Sequence, residues 1–72
     1  MGEVKELVGQ RLRERREQLH LTQRQVAGAL GVAQPVYQRF EKGIFECNYT
    51  QIIAICKLFD ISADYLLGLT DY

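Results

Sequence analysis

Apolar residues recur along this chain every three or four positions, which is the spacing of one face of an α-helix. The alternation of apolar and polar residues that indicates a β-strand is nowhere sustained. We therefore expect an all-α protein. The apolar stripes are, in chain order, Val4, Leu7, Val8, Leu12 and Leu19; Val26, Ala27 and Leu30; Val36, Tyr37 and Phe40; Ile52, Ile53, Ile55, Cys56 and Phe59; and Tyr65, Leu66 and Leu69.

Residues that start and stop helices flank these stripes. Thr22 and Gln25 have the spacing of a capping box, and Asn48 and Gln51 repeat it. Ser62 is a third candidate N-cap. The helices should end at residues that tolerate a left-handed backbone, namely His20, Gly31, Gly43, Asp60 and Gly68. Together these signals predict five helices, over residues 3–19, 23–30, 34–42, 49–59 and 63–69.

The length of the chain allows one domain, over residues 1–72. A chain this short buries only about 60% of the surface that its unfolded form exposes, so its core must be efficient. The connections between the predicted helices are short, which favours a compact orthogonal bundle.

Charged residues are unevenly distributed, although the chain has no net charge. Up to Lys42 there are eight basic and five acidic residues, a balance of +3, and from Gly43 onward the balance is −3. Such a split predicts one basic face on a neutral protein. Charge alone leaves open the alternative of solvated helices with mixed charges.

The sequence lacks the signatures of an enzyme or a metal site. One histidine, no Gly-rich phosphate loop and no Ser/His/Asp or Cys/His set predict no catalytic residue, no metal and no cofactor. Cys47 and Cys56 have no metal-like spacing, and two free or buried thiols are favoured over a disulfide. The charged N-terminus is not a signal peptide and no apolar run can span a membrane, so we expect a cytoplasmic protein.

The link between the second and third predicted helices is very short. Residues 30–33 must turn the chain sharply, with Gly31 as the turning residue and Val32 filling the corner. Two short helices joined in this way form a helix-turn-helix unit, here at about residues 22–43. In such a unit the first helix crosses the DNA backbone and the second lies in the major groove.

Three linked motifs extend this pattern from about Val8 to Leu69. They are Leu21-Thr22-Gln23-x-x-Val26-Ala27-x-x-Leu30-Gly31-Val32, Tyr37-x-x-Phe40-Glu41-Lys42-Gly43 and Ile61-Ser62-x-Asp64-Tyr65-Leu66-Leu67-Gly68. With them the chain resembles the Cro/C1-type (XRE) family of phage and bacterial repressors. The resemblance implies a compact five-helix lambda-repressor-like DNA-binding domain, sequence-specific binding of double-stranded DNA and a homodimer.

The resemblance also implies which side chains meet DNA. Gln34 opens the third helix and would read a base such as adenine, which a glutamine amide grips through two hydrogen bonds. Arg39, about a turn and a half further on, would hold guanine or a phosphate. Gln23 would contact phosphate at the N-terminus of the second helix. Further candidates are Gln38 for base reading, and Lys42 and Asn48 for phosphate.

Arg16 continues the stripe of Val8 and Leu12, and so it points toward the core. The family pattern pairs it there with Glu41 in a partly buried salt bridge, because an unpaired arginine would be costly. This pair would tie the first helix to the recognition helix. Two other basic residues of the first helix, Arg11 and Arg13, are expected to be surface charges.

Three features depart from the family pattern. Ala33 replaces the usual hydroxyl residue at the N-cap of the third helix, which removes about 1 kcal/mol of stabilisation, and Pro35 partly offsets this by presetting φ. Gly28 lies inside the second helix at a cost of about 1 kcal/mol. The loop Ile44-Phe45-Glu46-Cys47-Asn48 is apolar with one acid, where relatives usually carry polar or basic residues.

Two interpretations of function follow. The first is a transcriptional regulator, a repressor that binds a two-fold symmetric operator as a dimer; the basic half and the pair Gln34 and Arg39 favour it. The second is a protein-interaction module with weak DNA binding, such as an antirepressor-like or toxin-neutralising partner. The absence of net charge and the apolar loop favour that alternative.

The apolar loop itself has two interpretations. Ile44 and Phe45 would form a contact with a protein, either a second copy or another partner, because large apolar side chains gain nothing from water. Tyr49 and Tyr72 would extend this patch. Alternatively, Phe45 folds back onto the fourth helix as an extension of the core.

Overall fold

Five α-helices make up the computed structural model, which describes residues 3–72. The all-helical architecture is confirmed, with α1 to α5 over Val4–Gln18, Gln23–Leu30, Gln34–Glu41, Tyr49–Phe59 and Ala63–Leu66. The second and fourth helices have the predicted bounds. The first is one residue shorter than predicted at each end, and the third one residue shorter at its C-terminus. The fifth stops three residues early, because Gly68 turns the chain and the N–H of Leu69 bonds back to the carbonyl of Asp64.

Local sequence signals determine where the helices begin. The side chains of Thr22, Asn48 and Ser62 each accept a hydrogen bond from the backbone N–H three residues later. At the first two positions the glutamine returns a hydrogen bond to the backbone of the cap, so both predicted capping boxes are confirmed. The third helix, by contrast, begins after Ala33, which makes no such bond.

The predicted helix stops are confirmed as well. Each helix is followed by a residue with positive φ, and N–H groups beyond the helix turn back to carbonyls of its last turn. After α3, for example, the N–H of Ile44 bonds to the carbonyl of Arg39 at 3.0 Å. The five residues and their φ angles are His20 (57°), Gly31 (71°), Gly43 (74°), Asp60 (53°) and Gly68 (85°).

All five helices contribute to one hydrophobic core. Its buried members are Val8, Leu12, Val26, Ala27, Tyr37, Phe40, Ile55, Phe59 and Leu66. Tyr37 and Phe40 face inward as predicted, and their rings meet edge to face with centroids 6.3 Å apart. Val4 and Leu19, which belong to the first predicted stripe, are instead exposed, since they occupy the two ends of α1. Within residues 3–72, no helix combines the length and the apolar character needed to cross a membrane.

α1 and α3 approach each other closely. Gly9 is buried, and a Cβ at this position would lie 2.5 Å from the carbonyl oxygens of Phe40 and Glu41. Gly43 extends the contact, because its missing Cβ would lie 2.9 Å from the Cα of Glu6. Only glycine allows the two backbones to approach this closely. The C-terminal end of α3 is therefore placed directly against α1.

Two arginines of α1 hold the C-terminal part of the chain, which corrects the expectation that Arg11 is a surface charge. The Arg11 side chain is only 14% exposed, and it donates hydrogen bonds to the carbonyls of Tyr65 and Thr70. Its guanidinium also lies 4.2 Å from the centre of the Tyr65 ring. Arg15 donates from Nε to the carbonyl of Phe59 at 2.7 Å. Because both partners are backbone carbonyls far along the chain, no local pattern in α1 reveals this role.

Candidate nucleic-acid interface

Burial of the aromatic side chains on the inner side of α3 leaves its other side facing outward. Helical spacing places Gln34 and Gln38 one turn apart on that side, with Pro35 and Arg39 beside them. Pro35 and Arg39 are exposed, whereas the two glutamines are half-buried. The side chains predicted to read bases therefore share one face of the helix.

The turn between α2 and α3 sets the placement of this face. Gly31 has a φ of 71°, and the N–H of Val32 bonds to the carbonyl of Ala27 at 3.0 Å, while Val32 packs against the core. Pro35 lies in the first turn of α3, where its preset φ suits a helix and its missing N–H leaves no bond unmade. The two eight-residue helices and this turn form a helix-turn-helix unit.

Arg16 and Glu41 form the ion pair that the resemblance implies. Nε and Nη2 of Arg16 donate to the two carboxylate oxygens at 2.6 and 3.2 Å, and Nη1 donates to the carbonyl of Leu21 at 3.0 Å. The side chains of the pair are 14% and 3% exposed. Since both charges are largely removed from water, the loss of either one would leave the other buried and unpaired.

This environment also sets the ionisation of Glu41. Burial disfavours its charged form, but the hydrogen bonds from Arg16 and Gln23 and the charge of Arg16 outweigh burial, so the pKa of the carboxyl lies below its ordinary value of 4.5. The hydroxyl of Tyr37 is buried close to the same carboxylate, although the two do not meet in a hydrogen bond of good geometry. Burial, and then this carboxylate, raise the pKa of Tyr37. At neutral pH the carboxylate is therefore ionised and the phenol neutral.

A chain of hydrogen bonds runs from the ion pair to the start of α3. Nε2 of Gln23 donates to Oε1 of Glu41 at 3.1 Å, and Nε2 of Gln34 donates to Oε1 of Gln23 at 2.8 Å. Because a carboxylate can only accept, Gln23 must turn its nitrogen toward Glu41 and its oxygen toward Gln34. The amide of Gln34 is thereby oriented, with one N–H engaged and its second N–H and its oxygen left for another partner.

The remaining candidate residues occupy different surroundings. Lys42 is exposed directly after α3. The side-chain oxygen of Asn48 accepts the N–H of Gln51, so this residue serves as the cap of α4 whatever else it contacts. The guanidinium carbon of Arg39 lies 5.4 Å from the centre of the Phe45 ring. The structure thus brings Gln23 and Gln34 together and links Arg39 to the loop that follows α3.

The helix-turn-helix unit carries a basic outer surface on a neutral protein. Between residues 18 and 45 the one acidic residue is Glu41, which is buried against Arg16. On α1, in contrast, exposed charges of both signs lie together, as in the ion pair of Arg13 with Glu17, which agrees with the mixed-charge alternative. Three cations are exposed on the unit and form no ion pair with any residue between 3 and 72: Arg24, Arg39 and Lys42.

A second surface feature lies between α1, the loop after α3 and the start of α4. An open groove of about 620 Å³ runs there between mostly apolar walls. The loop contributes Phe45 and Cys47, α1 contributes Val4, and α4 contributes Tyr49 and Ile53. Burial raises the pKa of the Cys47 thiol to about 11, so it lines the groove as an uncharged group at neutral pH.

The exposed apolar side chains correspond only partly to the predicted patch. Ile44 and Phe45 are both exposed, and Phe45 does not belong to the core cluster. Tyr72, however, lies away from the groove and lines a small depression with Arg15, since the arginines of α1 hold the C-terminal segment. Cys47 and Cys56 are free thiols. Residues 3–72 contain no group of three or more side chains that could hold a metal ion.

Sequence reasoning missed two residues that shape this interface. Arg24 is exposed in the first turn of α2, directly after Gln23. Its position beside a predicted phosphate contact could have identified it in the sequence. Gly9 had no such signal, because the backbone that it allows to approach lies more than thirty residues away in the sequence.

Comparison with known proteins agrees with this geometry. Residues 12–66 match the helix-turn-helix family HTH_3. The uncharacterized HTH-type transcriptional regulator YqaE of Bacillus subtilis (strain 168) is 38% identical over 61 residues, which cover 85% of this chain and 53% of YqaE. YobD of the same strain, also an uncharacterized HTH-type transcriptional regulator, is 37% identical over 62 residues, covering 86% and 55%. The chain thus spans about half the length of the curated relatives it matches.

Solved structures share the fold. The P22 c2 repressor, in complex with synthetic operator 9T in the presence of Tl⁺, has a TM-score of 0.79 and 32% identity, covering 83% of this chain and 91% of its own. The clp gene regulator ClgR from Corynebacterium glutamicum has a TM-score of 0.86 at 24% identity, covering 93% of this chain and 71% of its own, and shows a likeness in fold alone. From the matched residues, the relatives and the repressor-like fold, the chain belongs to the helix-turn-helix family, as a Cro/C1-type (XRE) regulator.

Proposed function

We propose that this chain is a sequence-specific DNA-binding domain that acts in a transcriptional repressor and binds a two-fold symmetric operator as a dimer. The observation that carries the proposal is the outward face of the helix-turn-helix unit. There, the unit carries three exposed cations, one of which, Arg39, lies on the reading face of α3, and the sole acid, Glu41, is buried and paired. Such a face attracts phosphates and leaves α3 for the base edges. The operator complex of the P22 c2 repressor supports the proposal.

Gln34, Gln38 and Arg39 are proposed as the base-reading residues. The second N–H and the oxygen of the Gln34 amide match N7 and the N6 amino group of adenine, whereas guanine offers two acceptors at the same edge. The orientation imposed through Gln23 therefore favours adenine at this position. Arg39 suits the two acceptors of guanine, N7 and O6.

Gln23, Lys42 and Asn48 are proposed as phosphate contacts, with Arg24 added to them. Backbone N–H groups at the start of α2 point out of the helix beside Gln23 and suit an anion. These contacts set the register of the protein on the duplex and carry no sequence information.

A second copy of this chain is proposed as the occupant of the apolar groove, with Ile44 and Phe45 in the contact. Tyr49 is 88% exposed, and Val4, Ile44 and Ile53 are all more than half exposed. With Phe45 these side chains leave several large apolar groups in water, and an exposed apolar patch of this kind often marks an interaction site.

The same groove supports the alternative function, a protein-interaction module with weak DNA binding. The two functions differ in what they require of the basic face. A DNA-binding regulator needs Arg24, Arg39 and Lys42 for affinity, whereas an interaction module does not.

Selection of bound sequences from random duplex DNA tests the proposal. We expect an enriched two-fold motif with half-site centres about 10 base pairs apart. If each protomer neutralises about three phosphates, the logarithm of affinity falls with the logarithm of salt at a slope of about −5.

Arg24→Ala should reduce the steepness of that salt dependence by about 1 per protomer. Arg13→Ala, a control at an exposed cation of α1, should leave it unchanged. A library with no enriched motif at moderate salt would favour the interaction module.

Alanine variants separate base readers from phosphate contacts. Gln34→Ala or Arg39→Ala should cost about 1–3 kcal/mol on the preferred site and relax one base position. Gln23→Ala should weaken binding to all sequences through the lost phosphate contact, and it should also relax the base position read by Gln34, whose amide it orients. Its melting curve shows whether the lost hydrogen bonds to Glu41 and Gln34 matter for folding. Equal losses for all three variants on specific and random DNA would contradict the assignment.

The interface is tested by sedimentation and thermal melting of Phe45→Lys and Ile53→Lys. Both should abolish dimers and leave the monomer melt unchanged. Leu58→Lys is the matched control, because Leu58 is exposed on the same helix but lies outside the groove. A large loss of stability in Phe45→Lys without a change in association would assign Phe45 to the core instead.

A further inference from the structure

We infer that Phe45 is a positioning residue for Arg39: its ring holds the guanidinium in the direction from which it meets DNA. The inference rests on the proposed function, which makes Arg39 a DNA contact. It assigns a role to the most unusual residue of the loop after α3, a large aromatic side chain that the core does not use.

The geometry of the pair is that of a cation–π contact. The guanidinium carbon of Arg39 lies 5.4 Å from the centre of the Phe45 ring, within the ~6 Å over which such contacts act. Both side chains are exposed, so neither packs there merely to fill space in the core. An arginine without such a neighbour samples many rotamers, since its side chain is long and unbranched.

The backbone keeps the ring in place. The N–H groups of Ile44 and Phe45 both donate to the carbonyl of Arg39 itself, at 3.0 and 3.3 Å. Gly43, in the left-handed conformation and buried against Glu6, fixes the turn that makes these bonds possible. The ring of Phe45 is therefore tied to the same residue whose guanidinium it contacts, and it moves with α3 rather than with an independent loop.

The consequence is a preorganised arginine. Restricting its rotamers before DNA arrives lowers the entropy lost on binding, so the pair increases affinity and discrimination without touching DNA. The two base readers are then oriented by different means: Gln34 by hydrogen bonds that lead back to the buried ion pair, and Arg39 by an apolar ring. This also explains why an apolar residue is useful at a position close to the DNA-binding face.

The test is a double-mutant cycle of Phe45→Leu and Arg39→Ala. The quantity measured for each variant is a ratio: its affinity for the selected DNA site divided by its affinity for a site changed at the base pair that Arg39 reads. This ratio is insensitive to dimer stability, because the same free protein binds both sites. Phe45→Leu should lower the ratio about two- to fivefold, the size of an exposed cation–π contact. It should have no effect in the Arg39→Ala background, while Phe45→Tyr should retain the wild-type ratio.

Ile44→Ala provides the matched control, because Ile44 is an exposed apolar neighbour in the same loop and has no aromatic ring to form a cation–π contact. It should leave the ratio unchanged even if it weakens the dimer. The inference is overturned if Phe45→Leu leaves the ratio unchanged while Arg39→Ala lowers it. Equal losses from Phe45→Leu in both backgrounds overturn it as well, since Phe45 would then act without Arg39.

A measurement without DNA distinguishes failure of this inference from failure of the proposed function. In the free protein the Cδ protons of Arg39 should be shifted upfield by the ring current of Phe45, and Phe45→Leu should remove that shift. A missing shift overturns the contact itself, whatever DNA does. The other outcome is that the shift is present but Arg39→Ala binds every DNA sequence as the wild type does. That result would show that the contact exists and that Arg39 does not read DNA.

Discussion

The two ends of α3 are held in different ways. Its C-terminal end is pressed against α1 at Gly9, joined to Arg16 through Glu41, and followed by Gly43 packed on Glu6. Its N-terminal end has no side-chain cap, and a part-buried hydrogen bond of 2.8 Å between the side chains of Gln34 and Gln23 links it to α2.

The two ends of this eight-residue helix therefore have different tasks: one fixes the position of the helix, and the other presents side chains to DNA. Backbone contact and a buried ion pair leave the C-terminal end no alternative position, because either would be costly to disrupt. The N-terminal end, which in a helix-turn-helix unit supplies the side chains nearest the bases, lacks a side-chain cap, so we expect its backbone to keep more freedom even though Gln23 orients the Gln34 amide. The two ends of one helix would then serve different purposes, firm placement at one and local adjustment at the other.

The largest expected effect is the loss of the ion pair. Glu41→Ala should destabilise the protein by about 3–5 kcal/mol, because it leaves the Arg16 guanidinium buried without its counter-charge. A small domain has only about 5–10 kcal/mol in total, so the variant should be partly unfolded. Urea unfolding followed by circular dichroism measures the change.

Two controls refine this prediction. Glu41→Gln keeps an oxygen that accepts from Arg16 and should lose less than the alanine variant. Glu17→Ala removes the acid of an exposed pair with Arg13 and should change stability little, since water screens that pair. If Glu41→Ala cost less than about 1 kcal/mol, the C-terminal end would be held no more firmly than the surface.

The next largest effect concerns the backbone contact. Gly9→Ala should destabilise the protein by about 1–3 kcal/mol, because the added methyl would overlap two carbonyl oxygens of α3. Gly28→Ala is the matched control, since a Cβ at Gly28 has no atom within 4 Å and should stabilise α2 by up to about 1 kcal/mol. Thermal melts of both variants should therefore shift in opposite directions. A gain in both would show that α1 and α3 are not in close contact.

The comparison of the two ends also shows which features a sequence can predict. The capping boxes at Thr22 and Asn48, and the left-handed stops such as Gly31, depend on residues three or four positions apart. Short-range signals of this kind specify helix bounds to within a residue in four of the five helices. They also specify the inward faces, because Tyr37 and Phe40 repeat at helical spacing.

Features that depend on distant partners could not be predicted in this way. Gly9 resembles an ordinary helix glycine until α3 is placed beside it, and Arg11 resembles a surface charge until Tyr65 and Thr70 reach it. The candidate site likewise has features that the sequence predicts and features that depend on distant partners. The outward positions of α3 follow from periodicity, whereas the hydrogen bond between Gln23 and Gln34 depends on the packing of two helices.

A smaller effect is expected from acid. Because the pKa of Glu41 is lowered in the folded protein, its ionised form contributes stability at and above neutral pH. That contribution should begin to fade as the pH falls below the ordinary carboxyl value of 4.5, and it should be lost as the pH passes through the lowered pKa. Urea midpoints measured from pH 7 downward should fall more steeply for the wild type than for Glu41→Gln. Parallel curves would mean that other carboxyl groups carry the acid response.

The smallest effect is expected at the uncapped N-terminal end of α3. Ala33 already has the extended backbone of an N-cap, with φ −69° and ψ 148°, so Ala33→Ser adds a capping oxygen without moving the chain. Pro35 has no N–H, and the serine oxygen would therefore accept from the N–H of Val36 and stabilise the protein by about 1 kcal/mol. Ala29→Ser, at an exposed position inside α2, is the control and should be slightly destabilising. If Ala33→Ser raised the urea midpoint but weakened DNA binding, the freedom of this end would be part of recognition. If Ala33→Ser changed neither stability nor DNA affinity, the hydrogen bond between Gln23 and Gln34 would already hold the N-terminal end as firmly as a cap does. The proposed contrast between the two ends of α3 would then be wrong.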